Sequence, residues 1–65
     1  MQVLLNSKTI NTSAATLADM AAELAWPERG IAVGLNNRLV PRSEWDSTNL
    51  HENDTLVVVK AAAGG

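Results

Sequence analysis

The chemical group that the sequence sets apart is the carboxylate of its last residue. The chain ends in Gly64-Gly65, directly after three alanines. Since glycine makes up about 7 % of residues, a chance pair at this place has a probability on the order of 0.5 %. Glycine has no Cβ, so such a tail fits a narrow channel and can carry the Gly65 carboxylate into another protein's active site. An inert, frayed terminus is the alternative that the pattern alone leaves open.

The side chains, by contrast, predict no catalytic or metal site. His51 is the single histidine and the chain has no cysteine. A metal site or an acid/base pair needs several such groups, so we expect His51 to be solvated. Asp19 and Glu23 lie one helical turn apart, which is typical of the solvated face of a helix. We therefore expect a protein that is not itself an enzyme.

Length and charge exclude several classes of function. A chain of 65 residues makes one small domain without room for a buried cleft. Five Lys and Arg against seven Asp and Glu give a net charge of −2, which argues against a nucleic-acid partner. The apolar run Val3-Leu4-Leu5 is too short for a signal peptide or a membrane span. We expect a cytoplasmic monomer.

Five short strands are expected to position the terminus. Two hairpins are predicted around the turn pairs Asn6-Ser7 and Asn36-Asn37, whose residues suit tight turns. The first and last runs are apolar at consecutive positions, as in central strands of a sheet. The predicted strands are Gln2–Leu5, Lys8–Asn11, Ile31–Leu35, Arg38–Val40 and Thr55–Lys60.

One main helix is predicted to begin near Leu17. Thr16 followed three residues later by Asp19 is a helix-start signal. We expect the helix to end by Ala25 or Trp26, because the residue before a proline avoids helical backbone, with Gly30 as a left-handed stop. Its predicted apolar stripe comprises Leu17, Met20, Ala21 and Leu24.

These elements predict an α+β fold, a mixed sheet of four to five strands with one main helix packed across it. The domain should span residues 1–60, followed by a flexible tail at residues 61–65. Trp26 and Trp45 are expected to pack in the core, with Trp45 on a short helical turn, and Arg42 to be solvated. The alternatives are a tryptophan that anchors a partner and an Arg42 that pairs with a partner's acidic group. Alternation along the last strand predicts that Val57 and Val59 face away from the helix and form an apolar docking face.

A longer segment carries a resemblance to a known family. Asn36-Asn37-Arg38-Leu39-Val40-Pro41-Arg42-Ser43-Glu44-Trp45, then Asp54 before the last strand, then Gly64-Gly65, resembles the ThiS family of thiamine-biosynthesis sulfur carriers. The resemblance spans essentially the whole chain. It implies a ubiquitin-like β-grasp fold in which the first and last strands are parallel and adjacent.

The resemblance also implies a reaction cycle. An E1-like adenylyltransferase would use ATP and magnesium to adenylate the Gly65 carboxylate, a sulfur-donating enzyme would supply the sulfur of a thiocarboxylate, and thiazole synthase would receive it. Gly64, Ala63 and Ala62 would enter the partner's active site with Gly65. The carrier itself would hold no cofactor and no metal.

Three alternatives remain open at this point. The same sulfur chemistry could serve molybdopterin synthesis or another acceptor, because the Gly-Gly ending is shared with those carriers. The chain could instead be a β-grasp interaction module with an inert terminus. It could also be a modifier that forms isopeptide bonds to lysines.

Overall fold

The computed structural model describes residues 1–27 and 29–60 and shows a mixed five-stranded sheet with one α-helix packed across it. The predicted tail, residues 61–65, lies outside the described residues. All five strands lie where the sequence predicts them. The elements in chain order are β1 (Gln2–Leu5), β2 (Lys8–Asn11), α1 (Leu17–Glu23), β3 (Ile31–Leu35), β4 (Arg38–Val40), a 3-10 helix η1 (Arg42–Ser47) and β5 (Thr55–Lys60).

The strand that leads to the tail lies in the middle of the sheet. The strand order is β2-β1-β5-β3-β4, so β5 is central and β1 is its neighbour. β1 and β5 run parallel, with Leu5 beside Leu56, while β3 pairs antiparallel to β5. The predicted central position of the first and last strands and their parallel pairing are both confirmed.

The core lies between the sheet and the layer formed by α1 and η1. Strand alternation sends every second side chain to this side, which we call the inner face of the sheet. Leu17 and Met20 of α1 meet these strand residues and are fully buried, whereas Ala21 is only half-buried. The largest fully buried side chains are Leu17, Met20, Leu56, Val3 and Val33.

The start of α1 is held by a capping box, as the sequence predicts. The Thr16 hydroxyl accepts a hydrogen bond from the Asp19 amide at 3.2 Å, and the Asp19 carboxylate accepts one from the Thr16 amide at 3.3 Å. The carboxylate also lies at the positive end of the helix. Asp19 is therefore a structural residue of the helix start.

The left-handed stop of α1 differs from the prediction. Ala25, at φ 56°, and not Gly30, provides the left-handed stop. The amide of Trp26 donates to the Ala21 carbonyl oxygen at 2.9 Å, and that of Ala25 donates to Ala22 at 3.2 Å, as in a Schellman motif. The helix ends at Glu23, within the predicted limit, but Leu24 is 37 % exposed and does not complete the predicted apolar stripe.

Asparagines shape the tight turns. Asn36 and Asn37 have φ values of 51° and 69°, which a type I′ hairpin turn requires, and Asn6-Ser7 adopts the same backbone. Asn53 also has a positive φ, 69°, in the turn before β5. Within the described ranges, no helix is long and apolar enough to cross a membrane.

Candidate functional site

The predicted reactive terminus follows the central strand. β5 ends at Lys60, and the residues predicted to act with the terminus, Ala62, Ala63, Gly64 and Gly65, lie outside the described residues. Their role therefore stays a prediction. What the structure describes is the surface beside the strand from which the tail continues.

The exposed face of the sheet, opposite α1 and η1, carries an apolar patch. Val57 and Val59 are 48 % and 55 % exposed, whereas their neighbours Leu56 and Val58 turn to the core side. The expected exposure of Val57 and Val59 is thus confirmed, while their use by a partner stays a prediction. Leu39 of β4 extends the patch and is 70 % exposed. We call the whole side of the sheet that carries this patch the outer face.

A groove runs along β3 in the middle of the outer face. The strand register places Ala32 beside Val59, and Gly34 between Val57 and Leu39. Because alanine and glycine have little or no side chain, the larger neighbours on β4 and β5 form walls around a shallow hollow of about 300 Å³. Its lining residues are Ala32, Gly34, Asn37, Leu39, Val57 and Val59.

None of the strand residues that face the outer side of the sheet is charged. By register, the strand residues on this side of the sheet are Gln2, Leu4, Thr9, Asn11, Ala32, Gly34, Leu39, Thr55, Val57 and Val59, all uncharged. An apolar partner surface can therefore cover this face without desolvating an ionised side chain. Sequence reasoning identified only the two valines. Leu39 could have been found from its alternation with the buried Val40.

The acidic and histidine side chains have local structural roles. His51 is 76 % exposed, with its Nδ1 3.8 Å from the carboxylate of Asp54. Asp54 accepts hydrogen bonds from the His51 amide at 2.7 Å and the Asn36 side chain at 3.0 Å. Glu23 accepts hydrogen bonds from the amide and hydroxyl of Ser13. In the part of the chain that the structure describes, no group of three such side chains could hold a metal ion.

Trp45 packs in the core, as predicted, and Trp26 packs against the core while only partly buried. Arg42 is exposed but contacts Trp45. Trp45 is 2 % exposed and its Nε1-H donates to the Val40 carbonyl oxygen at 3.0 Å. Trp26 meets it edge to face at 6.1 Å between ring centroids. The guanidinium carbon of Arg42 lies 4.7 Å from the centre of the Trp45 ring, a cation-π stack. The spacing of Arg42 and Trp45, three residues apart, could have indicated this contact, because such side chains align in a 3-10 helix.

Comparison with known proteins places this fold and its glycine ending in one family. The model of the ThiS family matches residues 2–65. The chain belongs to the ThiS family. The chain is also 27 % identical over 66 residues to the Sulfur carrier protein ThiS of Escherichia coli (strain K12), with all of both chains covered.

Solved structures show the same fold. The crystal structure of the thiamine biosynthesis protein (ThiS) from Geobacter metallireducens superimposes with a TM-score of 0.84 at 20 % identity, covering all of both chains. The NMR structure of a thiamine biosynthesis protein from the same organism gives a TM-score of 0.79 at 20 % identity, covering all of this chain and 88 % of the other. The predicted β-grasp fold of this ThiS-family chain is therefore confirmed.

Proposed function

We propose that the chain is a sulfur carrier of thiamine biosynthesis that delivers sulfur for thiazole formation from its Gly65 terminus. Membership of the ThiS family over residues 2–65 carries this proposal. The name of the Escherichia coli relative, a sulfur carrier protein, supports it. In this proposal the chain acts as a cytoplasmic monomer.

The chemistry takes place on the terminal carboxylate. A carboxylate is a poor electrophile until one of its oxygens becomes part of a good leaving group. Attack of the Gly65 carboxylate on the α-phosphorus of ATP releases pyrophosphate and forms an acyl adenylate. Hydrosulfide (HS⁻) from the sulfur donor then attacks the acyl carbon, AMP leaves, and loss of the thiol proton gives a thiocarboxylate. The carrier needs no cysteine for this, and it has none.

The catalytic groups belong to the partner enzymes. An E1-like adenylyltransferase supplies ATP, magnesium and the donors that stabilise the developing charge. A sulfur-donating enzyme provides the sulfur, and thiazole synthase accepts it. The carrier holds no cofactor and contributes Gly65, with Ala62, Ala63 and Gly64 as the slim segment that enters each active site.

Besides the reactive terminus, the carrier needs a surface that binds its partner enzyme. Val57 and Val59 lie on the central strand, one to three residues before its end at Lys60. We assign the outer face to the adenylyltransferase, because its uncharged patch of Leu39, Val57 and Val59 includes part of the strand that leads into the tail. Binding there would hold the start of the tail near the enzyme and lower the entropy cost of bringing Gly65 to ATP.

Transfer of labelled sulfur tests the proposal. The chain is charged with a heavy sulfur isotope, purified and given to thiazole synthase with its other substrates. The expected result is labelled thiazole product, with none from a form lacking Gly65. Label that reaches a molybdopterin-synthase reaction but not thiazole would contradict the proposed acceptor. Failure to charge the full-length chain at all, with enzymes active on another carrier, would contradict the carrier function.

A further inference from the structure

A second surface lies on the other side of the molecule, between α1 and η1. It is a cleft of about 230 Å³. Its floor consists of small side chains of α1, and its walls carry both tryptophans and one arginine. The residues that matter here are Ala18, Ala21, Ala22, Trp26, Arg42 and Trp45. Neither the proposed chemistry at the terminus nor the outer face uses these residues.

The aromatic walls of this cleft are held in place before any partner binds. The hydrogen bond from Trp45 Nε1 to the Val40 carbonyl oxygen, 3.0 Å long, fixes the buried ring. The Trp26 ring meets it at an interplanar angle of 76°. A preformed site avoids the entropy cost of ordering side chains when it is occupied.

Arg42 places a cation beside the buried ring of the cleft. Its guanidinium carbon lies 4.7 Å from the centroid of the Trp45 ring. A guanidinium beside an aromatic ring can still present its N-H donors to a carboxylate, which it binds with two parallel hydrogen bonds. Among the described residues, no carboxylate lies within 4.0 Å of the Arg42 guanidinium.

The lining defines the chemistry of the occupant. We propose that the cleft receives an aspartate or glutamate side chain of a partner enzyme, with its carboxylate on Arg42 and its methylene groups against Trp26 and the alanines. The positive group favours an acidic side chain, and the apolar floor favours the hydrocarbon part beside it. This inference rests on the proposed carrier function, which supplies the partner enzymes.

The position of the cleft makes it a contact separate from the outer face. α1 and η1 cover the inner face of the sheet, whereas Val57 and Val59 lie on the opposite side. A flat partner surface that covers the valines does not reach Arg42. The cleft is therefore used either by an extended arm of the same enzyme or by another enzyme of the cycle.

Binding measurements with purified adenylyltransferase and thiazole synthase test the proposal. We expect Arg42→Gln to weaken binding of at least one of them by about tenfold, a typical effect of losing one charge-assisted contact. Arg42→Lys should restore part of the loss, because lysine keeps the charge without the planar fork. Arg38→Gln, on the exposed edge strand β4, is the matched control and should stay within about twofold.

Two further measurements separate a partner contact from a purely structural role of Arg42. Both tryptophans of the chain line the cleft. The wild-type chain is labelled with 5-fluorotryptophan for fluorine NMR. Binding of the enzyme that contacts Arg42 should shift at least one of its fluorine resonances. Glu28→Gln tests whether a carboxylate of the chain itself is the partner of Arg42. It should leave both affinities unchanged, and a loss equal to that of Arg42→Gln would overturn the proposal.

The outcomes distinguish this inference from the proposed function. If the wild type forms a thiocarboxylate and Arg42→Gln binds both enzymes with wild-type affinity, the cleft proposal is wrong and the carrier function stands. If the wild type never becomes charged, the carrier function itself fails. Should Arg42→Gln not fold, comparison of Arg42→Lys with Arg38→Lys decides, because equal affinities of these two variants would overturn the proposal.

Discussion

The side-chain amide of Asn6 makes both hydrogen bonds that a neighbouring strand would make to the backbone of Val58. Its Oδ1 accepts from the Val58 amide at 2.8 Å, and its Nδ2 donates to the Val58 carbonyl oxygen at 3.2 Å. β1 ends at Leu5, while the parallel β5 continues to Lys60. Asn6 therefore extends the β1 side of the sheet by one step along the strand that leads to the tail.

Removal of the Asn6 side chain should loosen the end of β5. We expect Asn6→Gly, which tolerates the φ of 50° at this position, to lower the free energy of unfolding by about 1 kcal/mol. The Val58 amide should exchange its hydrogen faster. Asn37→Gly is the control, because φ at Asn37 is also positive, 69°. Equal effects of the two variants on stability and exchange would show that the amide pair with Val58 contributes nothing.

Neighbouring residues of β5 should differ sharply in their contribution to stability. Leu56 is fully buried, so Leu56→Ala should lower the free energy of unfolding by about 2 to 5 kcal/mol. A domain of this size has a stability of about 0.05–0.15 kcal/mol per residue, so this variant is close to unfolding. Val57→Ala should cost less than about 1 kcal/mol, since that side chain is 48 % exposed. Chemical denaturation compares the two, and similar losses would contradict the assigned faces.

A charge on the outer face should weaken adenylyltransferase binding. Val57→Asp and Val59→Asp each place a carboxylate where the proposed interface would desolvate it, and we expect at least a tenfold loss of affinity. Both side chains are about half exposed, so the circular dichroism spectrum should stay unchanged. Ser47→Asp, which places the same charge at an exposed position of η1 on the opposite side of the sheet, is the control. Wild-type affinity of both valine variants would exclude this docking face.

Filling the groove on the outer face tests its shape independently of charge. A Cβ added at Gly34 would meet only the Arg38 carbonyl oxygen, at 3.8 Å, which is ordinary van der Waals contact. Gly34→Ala should therefore fold normally. If an apolar side chain of the adenylyltransferase enters the groove, Gly34→Ala should weaken binding by a few fold and Gly34→Val by more. Calorimetry measures this, and unchanged affinity of Gly34→Val would show that the groove stays empty in the complex.

The strands and hairpin turns were predictable because their signals are local. Alternation of apolar residues predicted β3, consecutive apolar residues predicted β1 and β5, and the asparagine pair Asn36-Asn37 predicted a turn with positive φ. The parallel pairing of β1 with β5 came from the family resemblance. Apolar runs predict central strands but do not specify which strands pair, or in which direction.

The structure also contains features that the sequence did not predict, and most of them depend on contacts between distant residues. Alanine seldom adopts a positive φ, so the sequence did not identify Ala25 as the left-handed residue, although Pro27 indicated where the helix ends. The residue after Ala25 is Trp26, which packs against Trp45. The contact of Arg42 with Trp45, by contrast, is local, because the two residues lie three positions apart in the 3-10 helix η1. Within the candidate site, the exposure of Val57 and Val59 could be predicted from alternation along the last strand. The groove could not, because it depends on how β3 is aligned with β4 and β5.

The intact mass of the chain, measured after incubation with a thiamine-pathway adenylyltransferase, ATP, magnesium and a sulfur source, shows whether Gly65 becomes a thiocarboxylate. We expect a mass gain equal to replacement of one oxygen by sulfur, located by fragmentation at Gly65. A form without Gly65 should show no gain. An unchanged mass of the full-length chain, with an adenylyltransferase that charges another carrier in parallel, would contradict the proposed carrier function.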